Sequence, residues 1–202
     1  MKKLVAIAVA CALFGSATAA LAAGDPAAGK AKSAVCAACH NPDGNSTNPT
    51  YPKLAGQSAD YLTKQLVEFK SGARVNAIML GMVAALTPQD MEDLSAYFAS
   101  QQIARGAADP ALAPAGEALF RGGNLTTGVS ACMACHGAVG AGNPAAKFPA
   151  LAGQHNTYIE TQLKAFRNME RNNDAGQMMR SVAAKLTDQE IKAVSSYIQG
   201  LQ

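Results

Sequence analysis

One five-residue pattern, Cys-x-x-Cys-His, occurs twice in this chain and constrains its fold more than any other feature. It spans residues 36–40 and returns at residues 132–136. In such a pattern the two thiols attach a haem through thioether bonds, and the adjoining imidazole is placed to ligate the iron. We therefore expect two covalently bound haems c, with these residues as thioether and iron ligands: Cys36, Cys39, Cys132, Cys135, His40 and His136.

A redox dithiol or a zinc site is the alternative interpretation of each Cys-x-x-Cys. A thioredoxin-like redox motif does not need the trailing histidine and lies near a βαβ pattern, which this sequence lacks. Four of the five cysteines belong to the two motifs, and the fifth, Cys11, lies in an apolar run near the N-terminus. The double occurrence of the complete motif favours haem over both alternatives.

The N-terminus has the layout of a secretory signal. Residues 2–3 are lysines, residues 4–14 form an apolar run, and residues 20–22 (Ala-Leu-Ala) form a small-x-small cleavage site. The run is too short for a comfortable membrane span, and no later apolar run reaches about 20 residues. We expect residues 1–22 to be removed and the remaining chain to be a soluble periplasmic protein, in a compartment where free thiols can accept haem.

Composition narrows the fold and function classes. Without residues 1–22, 180 residues remain, and the loss of Lys2 and Lys3 leaves 15 basic residues against 14 acidic ones. The sequence has no basic stripe of the kind that binds nucleic acid, so we exclude that class of partner. The high alanine content and the scarcity of β-branched runs predict an all-α fold.

Both haem motifs lie within a longer repeat, which predicts two tandem domains. Residues 51–57 read Tyr-Pro-Lys-Leu-Ala-Gly-Gln and residues 148–154 read Phe-Pro-Ala-Leu-Ala-Gly-Gln. The copies are 96 residues apart at the cysteines and 97 apart at these phrases, so one residue has been inserted between the two points. Residues 101–114 are rich in Ala, Gly and Pro and lack periodicity. We expect an N-terminal domain at 23–104, a linker at 105–114 and a C-terminal domain at 115–202.

Each copy predicts the same order of helices. The first helix begins at Asp25 and Pro26, as N-cap and first helical residue, and its counterpart begins near Pro114. The last helix of each copy begins at a threonine, and Thr187 with Glu190 matches a capping box. Loops are expected at 41–50 and 137–147, which are rich in Gly, Pro and Asn, and at 122–128, which is rich in Gly, Asn and Thr.

An amphipathic helix follows the repeated phrase in each copy. Its aromatic and aliphatic residues recur at helical spacing and predict a core-facing stripe, part of whose core would be porphyrin. The matching residues are Tyr61, Gln65, Leu66 and Phe69 in the first copy and Tyr158, Gln162, Leu163 and Phe166 in the second.

The second axial position of each iron decides between electron transfer and catalysis, and methionine is the residue type we expect there. In the last part of each copy the offset is 100 residues, and Met79 with Met179 is the one methionine pair that obeys it. Each follows a break in the helical pattern, at 72–76 or 172–176, which predicts a loop-borne ligand. An iron ligated by His and Met has no open position and exchanges electrons without binding a substrate.

The other candidates have simpler explanations. Met133 lies between two haem-binding cysteines, where it cannot ligate the same iron. The repeat counterpart of His155 is Ser58, so His155 cannot serve both haems, and we expect a helix-start or surface histidine. Apolar packing explains the methionines whose counterparts are aliphatic, namely Met82 opposite Val182, Met91 opposite Ile191, and Met178 opposite Ile78.

With these motifs in place, the chain resembles the dihaem cytochrome c4 family, in which two class I cytochrome c domains follow one another. The resemblance covers both haem motifs, both repeated phrases, both methionines and the closing residues 196–201. It implies two domains that face each other about a pseudo-twofold axis with their haem edges close. It also implies that the carbonyls of Pro52 and Pro149 accept a hydrogen bond from the ligating histidines, and that Leu54 and Leu151 pack against the haems.

The resemblance implies an electron carrier of a respiratory chain rather than an enzyme. Its partners would be a membrane-bound quinol-oxidising complex as donor and a terminal oxidase as acceptor, and we expect a monomer without a transmembrane segment. Association with a membrane surface stays open. A dihaem enzyme, such as a peroxidase or a thiosulfate dehydrogenase, is the alternative, but it needs an open iron position and acid/base residues, of which we find no cluster. A fixed subunit of a larger respiratory complex is a third interpretation.

The basic residues of the expected mature chain are scattered in sequence and do not identify a partner. A ring of lysines around a haem edge could steer a partner protein, but the sequence does not establish one. We expect a solvated position for each of these side chains: Lys30, Lys32, Lys53, Lys64, Lys70, Arg167, Arg171 and Arg180.

Overall fold

A computed structural model describes residues 24–202, so the predicted signal with Cys11 lies outside the described residues. Over this range the regular structure is helical, and β-type pairing is limited to the isolated bridges Asn124–Val129 and Asn143–Phe148. The all-α prediction is confirmed. Across residues 24–202, no helix is long and apolar enough to cross a bilayer.

Each copy of the repeat folds into five α-helices in the same order. A short 3₁₀ turn also precedes the third helix of the second copy, and another precedes its fourth. The helices of the first copy are α1 (Pro26–Lys32), α2 (Ala34–His40), α3 (Ala59–Ser71), α4 (Ala77–Val83) and α5 (Pro88–Ala99). Those of the second copy are α6 (Ala113–Gly122), α7 (Met133–His136), α8 (Asn156–Arg167), α9 (Met178–Ala183) and α10 (Asp188–Gly200).

The first and last helices of each copy cross in close contact because a glycine lies at the crossing point. A Cβ atom on Gly29 of α1 would lie 2.0 Å from the Asp93 carbonyl oxygen of α5. A Cβ atom on Gly116 of α6 would lie 2.3 Å from the Ala193 carbonyl oxygen of α10. Only a residue without a side chain lets the two helix backbones come this close together. The crossing joins the two ends of each domain.

Each copy has its own apolar core. The third and last helices build it in the first copy, and the first helix contributes as well in the second copy. The first core consists of Leu62, Leu94, Tyr97 and Phe98, with Leu54 packed against it. The second core is larger, and its most buried side chains include Phe120, Ile191 and Val194. Two separate cores are what a tandem pair of domains requires.

The helix starts agree with the capping signals in the sequence. Asp25 accepts from the amide of Ala27, and Pro26 follows it as the first residue of α1. The predicted capping box of Thr187 and Glu190 is present at α10. The first copy has the same arrangement with aspartate in place of glutamate, because Thr87 and Asp90 exchange hydrogen bonds at the start of α5.

The segment between the copies is held against both domains. The Asn45 side chain of the first domain forms two hydrogen bonds with the segment. It donates to the Gln102 carbonyl at 2.9 Å and accepts from the Ala104 amide at 2.7 Å. Gln199 of the second domain donates to Ala107 O at 2.9 Å. The segment has no helix until Ala113, one residue before the expected start.

Candidate functional site

Each haem motif ends a short helix, which places its histidine inside the domain. His40 is the last residue of α2 and His136 the last of α7, and they are 7% and 6% exposed. None of the four motif cysteines is paired in a disulfide. Each domain therefore presents two unpaired thiols together with one buried imidazole, as covalent haem attachment requires.

Each of these histidines is oriented by a backbone carbonyl. Nδ1 of His40 lies 2.9 Å from the Pro52 oxygen, and Nδ1 of His136 lies 2.9 Å from the Pro149 oxygen. A carbonyl oxygen can only accept, so Nδ1 carries the proton and Nε2 keeps its lone pair. Burial lowers the pKa of both imidazoles, although the hydrogen bond to proline opposes the shift. The arrangement holds each imidazole neutral and ready to ligate a metal through Nε2.

The first thiol of each motif lacks the lowered pKa that a redox dithiol uses. Burial raises the pKa of Cys36, and it raises the pKa of Cys132 to about 11. Reactive dithiols work through a thiolate whose pKa has been lowered. Residues 24–202 also contain no group of three or more His, Cys, Asp or Glu side chains arranged to hold a metal ion. The described structure thus offers no support for the dithiol or zinc alternative.

The paired methionines lie in helices, so the prediction of a loop-borne ligand is wrong. Met79 is in the first turn of α4, where the Asn76 side chain accepts from its amide at 2.9 Å. Met179 is in the first turn of α9. The breaks that the sequence indicated are real, but the chain resumes a helix before each methionine. Asn76 is the N-cap of α4, and at α9 the Asp174 carboxylate accepts from the Arg180 amide at 3.0 Å. Both side chains are half-buried.

Apolar packing accounts for only one of the three remaining methionines to which it was assigned. Met91 is 2% exposed, which confirms its place in the core. Met82 and Met178 are 40% and 42% exposed, so the packing prediction is wrong for them. The reason is that α4 and α9 are short helices, and each packs mainly against one neighbouring helix, α3 or α8. An aliphatic counterpart in the repeat does not by itself indicate a core position.

The residues present fit a haem in each domain. A pair of thiols, a neutral buried imidazole and a thioether are the donor types that a six-coordinate haem c uses. Leu54 and Leu151 each follow by two residues the proline that orients the histidine, and they pack against the core of their own domain. Cys36 and Cys132 pack against the same cores, so the attachment site of each domain lies at its core.

Several basic side chains that we expected on a solvated face lie at the domain interface instead. Lys53 is 8% exposed, and its Nζ donates to the carbonyls of Gly153 (3.0 Å) and Ala104. Nζ of Lys64 donates to Asn173 O at 2.9 Å. Arg171 reaches the Tyr61 hydroxyl at 3.0 Å. The solvated prediction is wrong for these three because their partners lie about 50 to 110 positions away in the chain.

The helix-start prediction for His155 is confirmed, but the residue also reaches the other domain. It is the N-cap residue of α8. Its Nε2 lies 2.8 Å from the Ser46 carbonyl oxygen and 3.0 Å from the Ser46 hydroxyl. The contact is one-sided, because Ser58 occupies the repeat position in the first domain.

Sequence reasoning missed the interface roles of Gln57, Gln154 and Arg74. The two glutamines exchange hydrogen bonds with the partner domain's backbone. Arg74 donates across the interface to Tyr158 at 2.9 Å. The signal that could have found them is the repeat itself, since polar residues at equivalent positions recur in both copies without a role in haem attachment.

Comparisons with known proteins agree with this geometry. The cytochrome c family model matches the chain twice, at residues 26–102 and 113–202. Cytochrome c4 of Pseudomonas aeruginosa is 53% identical over 181 residues, which cover 89% of this chain and 90% of that protein. The crystal structure of reduced recombinant cytochrome c4 from Pseudomonas stutzeri superposes with a TM-score of 0.87 at 52% identity, covering 89% of this chain and 100% of that chain.

A more distant relative is named for its redox partner. The thiosulfate dehydrogenase electron acceptor of Thiomonas intermedia is 38% identical over 208 residues, covering 98% of this chain and 90% of that protein. The family model, the curated relatives and the solved structure agree on a tandem pair of cytochrome c domains. The chain belongs to the cytochrome c4 family and is an electron-transfer cytochrome with two covalently bound haems c.

Proposed function

We propose that this protein carries electrons in the periplasm, from a membrane-bound quinol-oxidising complex towards a terminal oxidase. The observation that supports this most is the repetition of one complete donor set, two thiols, a buried imidazole and a thioether, in both domains. Two equivalent sites without an open iron position suit transfer of charge and leave no place for a substrate. The predicted secretory signal supports the compartment.

We assign the ligands residue by residue. Cys36 and Cys39 would attach the first haem, and His40 and Met79 would ligate its iron. In the second domain these roles would belong to Cys132, Cys135, His136 and Met179. When bound, each haem supplies an iron that alternates between the ferrous and ferric states.

The protein's residues set the conditions for that exchange. The carbonyls of Pro52 and Pro149 hold the imidazole rings in one tautomer and raise their basicity. Thioether ligation by methionine raises the reduction potential. Leu54 and Leu151 pack against the core of their own domain and would keep water from the haem beside it.

The ligand assignment is tested by Met79→Ala and Met179→Ala, each compared with an exposed neighbour as control, Met82→Ala and Met178→Ala. Oxidised His/Met haem has a weak absorption band at the red end of the spectrum, which reports the iron–sulfur bond. We expect each ligand variant to lose about half of this band, since one of two sites is affected. The controls should keep it. An intact band in both ligand variants would show that the sixth ligands lie elsewhere.

The enzyme alternative predicts different behaviour of the unsubstituted protein. A peroxidase or a thiosulfate dehydrogenase needs one haem with an exchangeable position. We expect no cyanide binding at low concentration and no rapid peroxide turnover. Cyanide binding at low concentration, or rapid peroxide turnover, would favour the enzyme.

The name of one relative indicates an alternative electron donor. The relative from Thiomonas intermedia is named an electron acceptor of thiosulfate dehydrogenase, so a dehydrogenase of that kind is the alternative donor for this protein. Stopped-flow reduction of the oxidised protein by a quinol-oxidising complex and by a thiosulfate dehydrogenase, at equal concentration, separates the two. Faster reduction by the dehydrogenase would overturn our assignment.

The remaining expectations are tested in periplasmic extract. We propose a monomer rather than a fixed subunit of a larger complex. Size-exclusion of a native extract should place the haem-containing protein at the mass of one chain, and co-elution with a respiratory complex would contradict this. Sedimentation with anionic vesicles measures whether the protein associates with a membrane surface.

A further inference from the structure

Two arginines at equivalent positions of the repeat, Arg74 and Arg171, lie 97 residues apart in sequence and come together at the domain interface. The Cζ atom of Arg74 lies 4.6 Å from the centroid of the Phe69 ring, and that of Arg171 lies 4.5 Å from the Phe166 ring. Both phenylalanines are buried in their own domains. Each guanidinium group is thus anchored to its own domain by a cation–π contact.

Beyond that anchor, each guanidinium group crosses to the other domain. Arg74 donates to the Tyr158 hydroxyl at 2.9 Å. Arg171 donates to the Tyr61 hydroxyl at 3.0 Å. The two tyrosines are themselves repeat equivalents, 97 residues apart. The contacts therefore obey the pseudo-twofold relation between the domains.

Two glutamine side chains join the arginines. Oε1 of Gln65 accepts from Arg74 at 2.8 Å and from Arg171 at 3.1 Å. Oε1 of Gln162 accepts from Arg74 at 2.9 Å and from Arg171 at 2.8 Å. Each amide oxygen is thus shared by both guanidinium groups, one from each domain. No rotation of one domain against the other can keep all four bonds, since they depend on the same two oxygens.

The arrangement places two like charges close together, which by itself weakens the interface. The Glu68 carboxylate nearby offsets part of the repulsion. The amide and hydroxyl oxygens offset the rest only while they stay in the plane of the guanidinium fork. Arginine presents several donors in a fixed planar geometry, whereas lysine is a point charge on a flexible stem. The contact therefore specifies an orientation of the two domains more than it contributes to their affinity.

We propose that Arg74 and Arg171 are positioning residues for electron transfer between the two haems. They fix the orientation of the two domains, and with it the distance between the cofactors. The proposal rests on the proposed function, because it requires a redox-active haem in each domain. Since the rate of electron tunnelling falls exponentially with distance, a small change of domain orientation changes the rate while leaving each haem site intact.

The test uses the full-length haem-loaded protein with Arg74→Lys and Arg171→Lys, which keep the charge and lose the fork. The readout is the rate of electron exchange between the haems in half-reduced protein, measured by two-dimensional exchange NMR. We expect each variant to exchange several-fold more slowly, because even a small increase in the distance between the haems slows tunnelling exponentially. The red-end band and the two reduction potentials should not change. Arg121→Lys, an exposed arginine paired with Glu117 within α6, is the matched control.

A second substitution tests the same claim in the opposite direction. Gln162→Glu places a carboxylate between the two guanidinium groups and should preserve the parental exchange rate or increase it. Parental exchange in both lysine variants would overturn the proposal, and so would slower exchange in Gln162→Glu. Shifted potentials at unchanged exchange would also overturn it, because the arginines would then act on the haem sites and not on the orientation of the domains. Failure of the proposed function is distinguishable, because the unsubstituted protein would then lack the red-end band.

Discussion

Gln57 forms two hydrogen bonds with the backbone of Ala150, donating to its carbonyl at 2.9 Å and accepting from its amide at 2.8 Å. Gln154 makes the same pair of bonds with Lys53, at 2.9 Å and 2.8 Å. Gln57 and Gln154 are equivalent positions of the repeat. Each side chain thus satisfies the backbone of the opposite domain, next to the proline that orients the histidine there.

The first prediction concerns these glutamines. Gln57→Ala and Gln154→Ala each remove both interdomain hydrogen bonds of the side chain and leave backbone groups of the other domain without these partners. We expect each substitution to lower the free energy of unfolding by about 1–3 kcal/mol, and to separate the unfolding of the domains into two transitions. Urea denaturation followed by haem absorbance and by circular dichroism measures both effects. Gln102→Ala, at an exposed position, is the control. Unchanged unfolding of both variants would show that the contacts contribute nothing.

The second prediction concerns the helix crossing. Gly116→Ala forces a Cβ atom to within 2.3 Å of the Ala193 carbonyl oxygen, so α6 and α10 must move apart. We expect a loss of about 1–3 kcal/mol in the free energy of unfolding, as in overpacked cores. Gly122→Ala in the same helix has no heavy atom within 4 Å of the new Cβ and should be neutral or slightly stabilising. Equal thermal unfolding of the two variants would contradict the crossing geometry.

The third prediction concerns acid. The Asp93 carboxylate accepts hydrogen bonds from the Lys32 ammonium, the Asp25 backbone amide and the Gln89 side-chain amide. These bonds lower the pKa of Asp93 to about 2. Because the folded pKa lies below the unfolded one, this contribution to stability is complete above about pH 4 and is lost as the pH falls towards about 2. Asp93→Asn should show a weaker acid dependence of unfolding over that range, measured by denaturation at successive pH values. An unchanged dependence would show that Asp93 does not couple folding to protonation.

The fourth prediction concerns His155. Burial lowers the pKa of its imidazole, its hydrogen bond to Ser46 opposes the shift, and the charge of Lys53 lowers the pKa further. The unfolded chain therefore binds this proton first, and stability falls as the pH drops from about 7 to about 5. His155→Ser introduces the residue found at the repeat position, Ser58, and should flatten that part of the stability profile. A profile identical to that of the unsubstituted protein would assign the dependence to other groups.

The haem-attachment motifs were readable in the sequence because each is contiguous. Cys36, Cys39 and His40 lie within the five consecutive residues 36–40, so their spacing alone indicates the chemistry. Helix boundaries were also predictable where a cap is local, as at Asp25 and Thr187. The repeat selected Met79 and Met179, but it could not show that a new helix starts before each of them.

Exposure was predicted less well. Met82 was expected in the core and is exposed. Lys53 was expected in solvent and is buried. A sequence pattern reports the average preference of a residue type. Whether a particular side chain is buried depends on which distant segment lies over it.

The sequence by itself determined the cofactor type, the number of haem sites and the helical class of the fold, because these follow from local spacing and from repetition. The tertiary structure decided the domain interface. Arg74 and Arg171 share the Gln65 amide oxygen, and Gln57 bonds Ala150, only because the fold places segments almost 100 residues apart next to each other. Hydrogen-bond geometry operates over about 3 Å in space, and nothing in the order of residues fixes such a distance between domains.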